Sequence, residues 1–141
     1  MTTVGQWMKH PVHVIKPLDS VAHAREVMEQ HRVNQLPVVV NNRLVGIVTD
    51  RDLRDATPSM AETVPALDPG ATARITVESV MTPAVLTVTP IDPLQRAAAI
   101  MRRERIGALP VLHDGRLAGI ITRSDILEAF SAGIDRVAAS L

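Results

Sequence analysis

The apolar and polar positions change period along the chain, and each change marks a predicted element. Val12 to Ile15 alternates as a short strand. Pro17-Leu18-Asp19-Ser20 reads as a turn into a helix, with Asp19 or Ser20 as its N-cap. Val21, Ala24, Val27 and Met28 then recur at helical spacing, with charged residues on the opposite face. Leu36 to Val40 is apolar and rich in β-branched residues, which predicts a strand. Asn41-Asn42 predicts a tight turn and Leu44 to Val48 the returning strand. Thr49 to Ala56 predicts a second, short helix. The same order recurs downstream. Val85 to Val88 is a strand, Leu94, Ala97, Ile100 and Met101 mark a helix, and Leu109 to Leu112 and Leu117 to Ile121 form a hairpin around Asp114-Gly115. Ser124 to Ala132 predicts a last helix, stopped at Gly133. The fold class is α/β, with each half running strand-helix-strand-strand-helix.

The two halves are copies. Pro17 to Asp55 aligns without a gap on Pro90 to Glu128, 73 residues on. Leu36-Pro37-Val38 meets Leu109-Pro110-Val111, and Gly46-Ile47 with Thr49 and Asp52 meets Gly119-Ile120 with Thr122 and Asp125. A duplicated unit of this size cannot bury its apolar face alone. The expectation is therefore two repeats, 1–56 and 76–133, packed about a pseudo-two-fold axis with two equivalent clefts between them. The linker 57–75 carries Pro58, Pro65, Pro69 and Gly70, and is either a crossover or a functional flap. The tail 134–141 either extends the last helix or frays.

Composition narrows the function. Fifteen basic and fifteen acidic side chains leave no net charge to attract nucleic acid or membrane. Cysteine is absent, which excludes disulfides, thiolate metal sites and cysteine nucleophiles. Trp7 and Phe130 are the aromatic residues, too few to stack single-stranded nucleic acid. Residues 1–11 lack the apolar run of a signal peptide, and no stretch approaches the roughly 20 apolar residues of a membrane span. The expectation is a cytoplasmic protein.

The candidate chemistry sits where a strand feeds a helix: Gly46 to Asp52, and Gly119 to Asp125. Glycine permits close approach of a ligand to the backbone. A helix N-terminus offers N–H groups and a positive dipole end to an anion. A threonine hydroxyl can donate to a phosphate or ribose oxygen, and an aspartate can accept two hydrogen bonds from a ribose cis-diol. The same Thr-x-x-Asp pattern is also a helix capping box, which needs no ligand.

The strand-helix-strand-strand-helix repeat, the Leu-Pro-Val strand start and the Gly-Ile-x-Thr-x-x-Asp junction, all in tandem, resemble the cystathionine β-synthase (CBS) domain. The match runs from Trp7-Met8 to Phe130 and is similar to a stand-alone CBS pair (Bateman module). The first half, Gly46 to Arg54, is similar to the CBS part of acetoin-utilisation-type regulators, whose further ligand-binding domain has no counterpart in this sequence. The resemblance implies a regulatory sensor that binds AMP, ADP, ATP or S-adenosylmethionine, needs no other cofactor, and dimerises through its helices into a homodimer. It implies Thr122, Ser124 and Asp125 in the second site, with Pro83, Ala84 and Val85 near the base. It implies Thr49 and Asp52 in the first site, with Pro11, Val12 and His13 near the base.

The chain departs from that family at the His-Arg pair that often precedes Leu-Pro-Val and clamps phosphate. Here Asn34-Gln35 and Gly107-Ala108 stand instead, with Arg51 and Arg123 as candidate substitutes or as solvated helix-start arginines. Asp50 follows Thr49 and would repel a phosphate, whereas Arg123-Ser124 follows Thr122 and would attract one. At about 4 Å that contrast is a few kcal/mol at intermediate dielectric. The second site is therefore expected to be the better one.

Other constellations carry less. His10 and His13, with His31, are a candidate zinc or nickel set, against the plainer reading of surface histidines. Arg102, Arg103, Glu104 and Arg105, with Arg32, either face a phosphate or form a solvated face, and Met28 and Met101 read as core. No nucleophile–base–orienter set, paired carboxylates or P-loop is present, so no enzymatic activity is expected. The alternative to a sensor is a ligand-free interaction module that regulates a partner protein.

Overall fold

A computed structural model of the chain describes residues 2–63, 74–83 and 85–140, with side chains described outside 57–63 and 134–140. The chain divides into two units. One comprises His13–Val85; the other comprises Leu86–Leu141 together with Met1–Val12.

In the first unit, helix α2 (Val21–His31) precedes an antiparallel hairpin of β1 (Gln35–Val40) and β2 (Arg43–Thr49), which feeds α3 (Asp50–Thr63). Ser20 caps α2 by accepting from His23 N–H at 3.0 Å, so the N-cap is Ser20 and not Asp19. Asn41 and Asn42 both take positive φ, 50° and 64°, the geometry of the two-residue turn that suits strand twist. The second unit repeats the plan with α4 (Leu94–Glu104), β3 (Ala108–His113), β4 (Arg116–Thr122) and α5 (Arg123–Ser140). Asp114 and Gly115 make its turn, with φ of 52° and 77°. Each hairpin carries a register shift at the same place, between Val38 and Val39 and between Val111 and Leu112.

The duplication reaches further upstream than Pro17 and Pro90. Short helix α1 (Val4–Trp7) and the 3-10 turn Val77–Ser79 are equivalent pieces. Val4 N–H donates to Asp92 O at 2.9 Å, and Val77 N–H to Asp19 O at 2.8 Å. Lys9 bridges Ile120, and Thr82 bridges Ile47. Both valines are fully buried, Val77 beside Ile15 and Leu36 and Val4 beside Val88 and Leu109, which are the hearts of the two cores. Met28 and Met101 are core, as expected.

Three expectations change. The strands at Val12 to Ile15 and Val85 to Val88 reduce to single parallel bridges, Ile15 to Val38 and Val88 to Val111. Ile15 N–H donates to Pro37 O and Ile15 O accepts from Val39 N–H; Val88 N–H likewise donates to Pro110 O and Val88 O accepts from Leu112 N–H. Pro37 and Pro110 have no N–H, so neither ladder can extend back. The last helix does not stop at Gly133 but continues to Ser140, because Gly133 lacks the left-handed φ of a C-cap. The predicted tail 134–140 is thus helix. Helix α3 runs to Thr63, through the start of the predicted linker, while 64–73 of the proposed crossover or flap lie outside the described residues.

Candidate functional site

Each Thr-x-x-Asp corner forms where the last residue of a hairpin meets the first turn of the following helix. At the first corner, Thr49 N–H donates to Asp52 Oδ2 at 2.9 Å, and Asp52 N–H donates to Thr49 Oγ1 at 3.1 Å. At the second, Thr122 N–H donates to Asp125 Oδ2 at 2.8 Å, and Asp125 N–H to Thr122 Oγ1 at 3.4 Å. Both corners are therefore reciprocal capping boxes. The leading N–H of each helix is also engaged: Asp50 N–H donates to Asn34 O at 2.7 Å and Arg123 N–H to Gly107 O at 3.1 Å. The helix starts offer an anion fewer free donors than the sequence implied.

The glycines of the motif serve a purpose other than ligand approach. A Cβ at Gly46 would lie 2.6 Å from Met81 Sδ and 2.9 Å from Thr82 O. A Cβ at Gly119 would lie 2.6 Å from Met8 Sδ and 2.9 Å from Lys9 O. The space is filled by Met81 and Thr82, which lie against β2, and by Met8 and Lys9, which lie against β4.

The two corners differ in what surrounds the carboxylate. Asp52 is half-buried, and its Oδ1 meets no donor among the described residues. Asp125 is wholly buried, and Thr122 Oγ1–H also donates to its Oδ2 at 3.0 Å. Its Oδ1 meets no donor in hydrogen-bond geometry; its partner is the Lys9 ammonium at 3.0 Å, an ion pair. Lys9 also lies 3.5 Å from Glu128 Oε2. The close polar contact with Asp125, then the Coulombic pull of the same carboxylate, raises the Lys9 pKa above the ordinary 10.5; burial opposes this and Glu128 adds to it. Lys9 is the residue that sequence reasoning missed. The signal was available: carrying the 73-residue offset upstream sets Lys9 against Thr82.

The Arg123-Ser124 ground for preferring the second corner stands, with both side chains exposed, but two other features of the corners bear on it. The Asp50 carboxylate, expected to repel phosphate, is paired with Arg54 at 3.3 Å. The Asp125 carboxylate, expected to receive a ribose, is already engaged.

The remaining candidates are spread out. Arg51, Arg123 and Ser124 are exposed on the first helical turns. Arg123 extends over Gly107, its Cζ 3.7 Å from where a Cβ would stand, and with Arg102, Arg105, Met101 and Leu127 it lines a groove of about 550 Å³. Arg103 pairs with Glu104 at 3.2 Å. Pro11 is exposed and Val12 half-buried, and both follow Lys9 in the second unit. Pro83 is exposed and Val85 half-buried, in the first unit, and Ala84 lies outside the described residues. His13 stacks on His31, ring centroids 3.6 Å apart and planes 13° from parallel. Face-to-face rings do not converge their nitrogens on one metal, and the described residues hold no cluster of three ligating side chains.

The CBS domain family profile matches residues 4–59 and 77–132. An inosine-5'-monophosphate dehydrogenase of Korarchaeum cryptofilum is 36% identical over 116 residues, 82% of this chain, which spans only 21% of that protein. A CBS domain-containing protein of Dictyostelium discoideum is 36% identical over 133 residues, 89% of this chain and 88% of the relative. Among solved structures, CBSX2 in complex with AMP is similar at TM-score 0.78 and 33% identity, covering 96% of this chain and 99% of that one. The CBS domain pair of protein MJ0100, in complex with 5'-methylthioadenosine and S-adenosyl-L-methionine, is similar at TM-score 0.79 and 27% identity, covering 94% and 98%. A Vibrio cholerae protein provisionally named for acetoin utilization is similar at TM-score 0.81 and 27% identity, covering 100% and 98%. With both profile matches spanning the duplicated units and their paired corners, the chain belongs to the CBS domain family as a tandem pair of CBS repeats.

Proposed function

We propose that this CBS pair is a regulatory sensor, not a catalyst, which binds an adenosine-containing ligand (AMP, ADP, ATP or S-adenosylmethionine) at its Thr-x-x-Asp corners. The observation that carries the reading is the Oδ1 of Asp52, which meets no donor among the described residues and is held in place because Oδ2 is fixed by Thr49 N–H. A carboxylate oxygen so positioned can accept from a ribose hydroxyl without dismantling the cap. That two similar CBS pairs are solved with AMP and with S-adenosylmethionine supports the ligand class. In this reading Thr49 and Thr122 face ribose or phosphate, Arg51, Arg123 and Ser124 meet phosphate, and Pro11, Val12, His13, Pro83, Ala84 and Val85 border the base. The sensor works as a cytoplasmic homodimer, to which the exposed Leu127 and Phe130 on α5 contribute apolar surface. Ligand binding can shift the assembly only by its differential affinity for two states.

A thermal-shift panel tests the proposal. A ligand at 100 times its Kd adds about 2.7 kcal/mol to stability. At least one of the four ligands should raise the melting temperature; flat curves for all four would contradict the reading. A second reading, a ligand-free interaction module acting on a partner protein, is favoured by the capping role of both Thr-Asp pairs. It predicts partner capture that nucleotides and Asp52→Ala leave unchanged.

A further inference from the structure

We propose that Lys9 is an internal latch on the second corner, so that a ligand reaches Asp125 only by displacing the lysine ammonium, and the first corner fills first. The inference rests on the adenosine reading above and concerns how the two corners divide the work.

Four observations converge. Asp125 Oδ2 is saturated by Thr122, through its N–H at 2.8 Å and its hydroxyl at 3.0 Å. Oδ1 is the oxygen left for a ligand, and it is wholly buried with Lys9 Nζ 3.0 Å away. A buried carboxylate without a partner is costly, so the ammonium fills a place that a ribose diol would otherwise fill. Lys9 is nevertheless free to move its side chain, which is 63% exposed. Its backbone is not free: Lys9 N–H donates to Ile120 O at 2.8 Å, and Lys9 O accepts from Ile120 N–H at 3.1 Å. The motion is therefore a side-chain swing about a fixed main chain.

Glu128 makes that swing inexpensive. Its Oε2 lies 3.5 Å from the same ammonium and is exposed to solvent. Lys9 released from Asp125 keeps an anionic partner, so the latch has two resting places. The first corner has no such device. Its equivalent position is Thr82, neutral and short, clamped in the same way to Ile47. Asp52 is half-buried and has no ion pair among the described residues.

The test is calorimetric titration with AMP of the wild type, Lys9→Met and Lys9→Thr, each also in an Asp52→Ala background that weakens the first corner. Removing the ammonium should raise AMP affinity at the second corner by tenfold or more. Lys9→Thr, which installs the residue found at the equivalent position of the first unit, should behave like Lys9→Met. On the wild type itself, saturating AMP should shift the NMR signal of the Lys9 side chain, a readout that needs no variant to fold. Clear AMP binding with affinity unchanged or weakened in both lysine variants, or a static Lys9 signal, would overturn the latch alone. No binding of AMP or S-adenosylmethionine by any of these proteins would overturn the adenosine reading and the latch together.

Discussion

Among single residues, Asp52 and Asp125 show that one capping motif can stand in two different surroundings. Both cap their helices through Oδ2, and both accept from a threonine N–H at nearly the same distance. What separates them is the residue at the equivalent bridged position: Lys9 pairs with Asp125, whereas Thr82 in the first unit carries no charge. Removing Lys9 leaves Asp125 buried and unpaired, so Lys9→Met should destabilise the ligand-free protein by about 1–3 kcal/mol, toward the lower end because the lysine is largely exposed and screened. The sign with pH follows from the raised Lys9 pKa. A lysine whose folded pKa exceeds its unfolded value stabilises fully below the ordinary 10.5 and loses that contribution as pH rises through the folded value. The melting-temperature gap between wild type and Lys9→Met should hold from pH 7 to about 10 and close above it. A gap that widened in alkali would contradict the ion pair. The threonine–aspartate pairs were legible in the sequence, both as a ligand corner and as a cap. Lys9 left a fainter trace: the 73-residue offset sets it against Thr82, but no local pattern names a partner more than a hundred residues away.

Among the elements, segments 4–9 and 77–82 do more than connect. Val4 and Val77 complete the cores, and Met8 and Met81 lie against the motif glycines. Gly46→Ala and Gly119→Ala would each drive a Cβ to 2.9 Å from a backbone carbonyl oxygen, which cannot step aside as a methionine tail can. Each should cost about 1–3 kcal/mol in urea denaturation. Near-neutral values at both would mean that these segments do not sit as described. Hairpin turns at Asn41-Asn42 and Asp114-Gly115 were readable because positive φ leaves few residue choices. The bridges at Ile15 and Val88 looked like strands, since alternation is visible in a sequence while a missing Pro37 or Pro110 donor acts across the ladder. Gly133 looked like a stop because glycine permits a left-handed cap without requiring one. The four-residue α1 is too short for any period to show.

At the scale of the whole molecule, duplication followed by divergence is the theme. The α/β repeat and its family were legible from the 73-residue offset and the repeated Leu-Pro-Val and Gly-Ile-x-Thr-x-x-Asp stretches. The difference between the two corners was not, since it depends on a charge, Lys9, that the repeat does not share. The homodimer predicts a solution mass twice the 15.3 kDa of the chain by light scattering, and a Leu127→Glu variant that runs as a single chain. A single-chain mass for the wild type across micromolar concentrations would contradict that part of the proposal. Whether an adenosine ligand binds through the Thr-x-x-Asp corners is decided by calorimetric titration of AMP into the wild type and Asp52→Ala. A hydrogen bond to a charged group contributes about 1.5–3 kcal/mol, so the account predicts saturable binding that Asp52→Ala weakens by roughly ten- to a hundredfold. Saturable binding of equal strength in both proteins, or no heat from either, would contradict it.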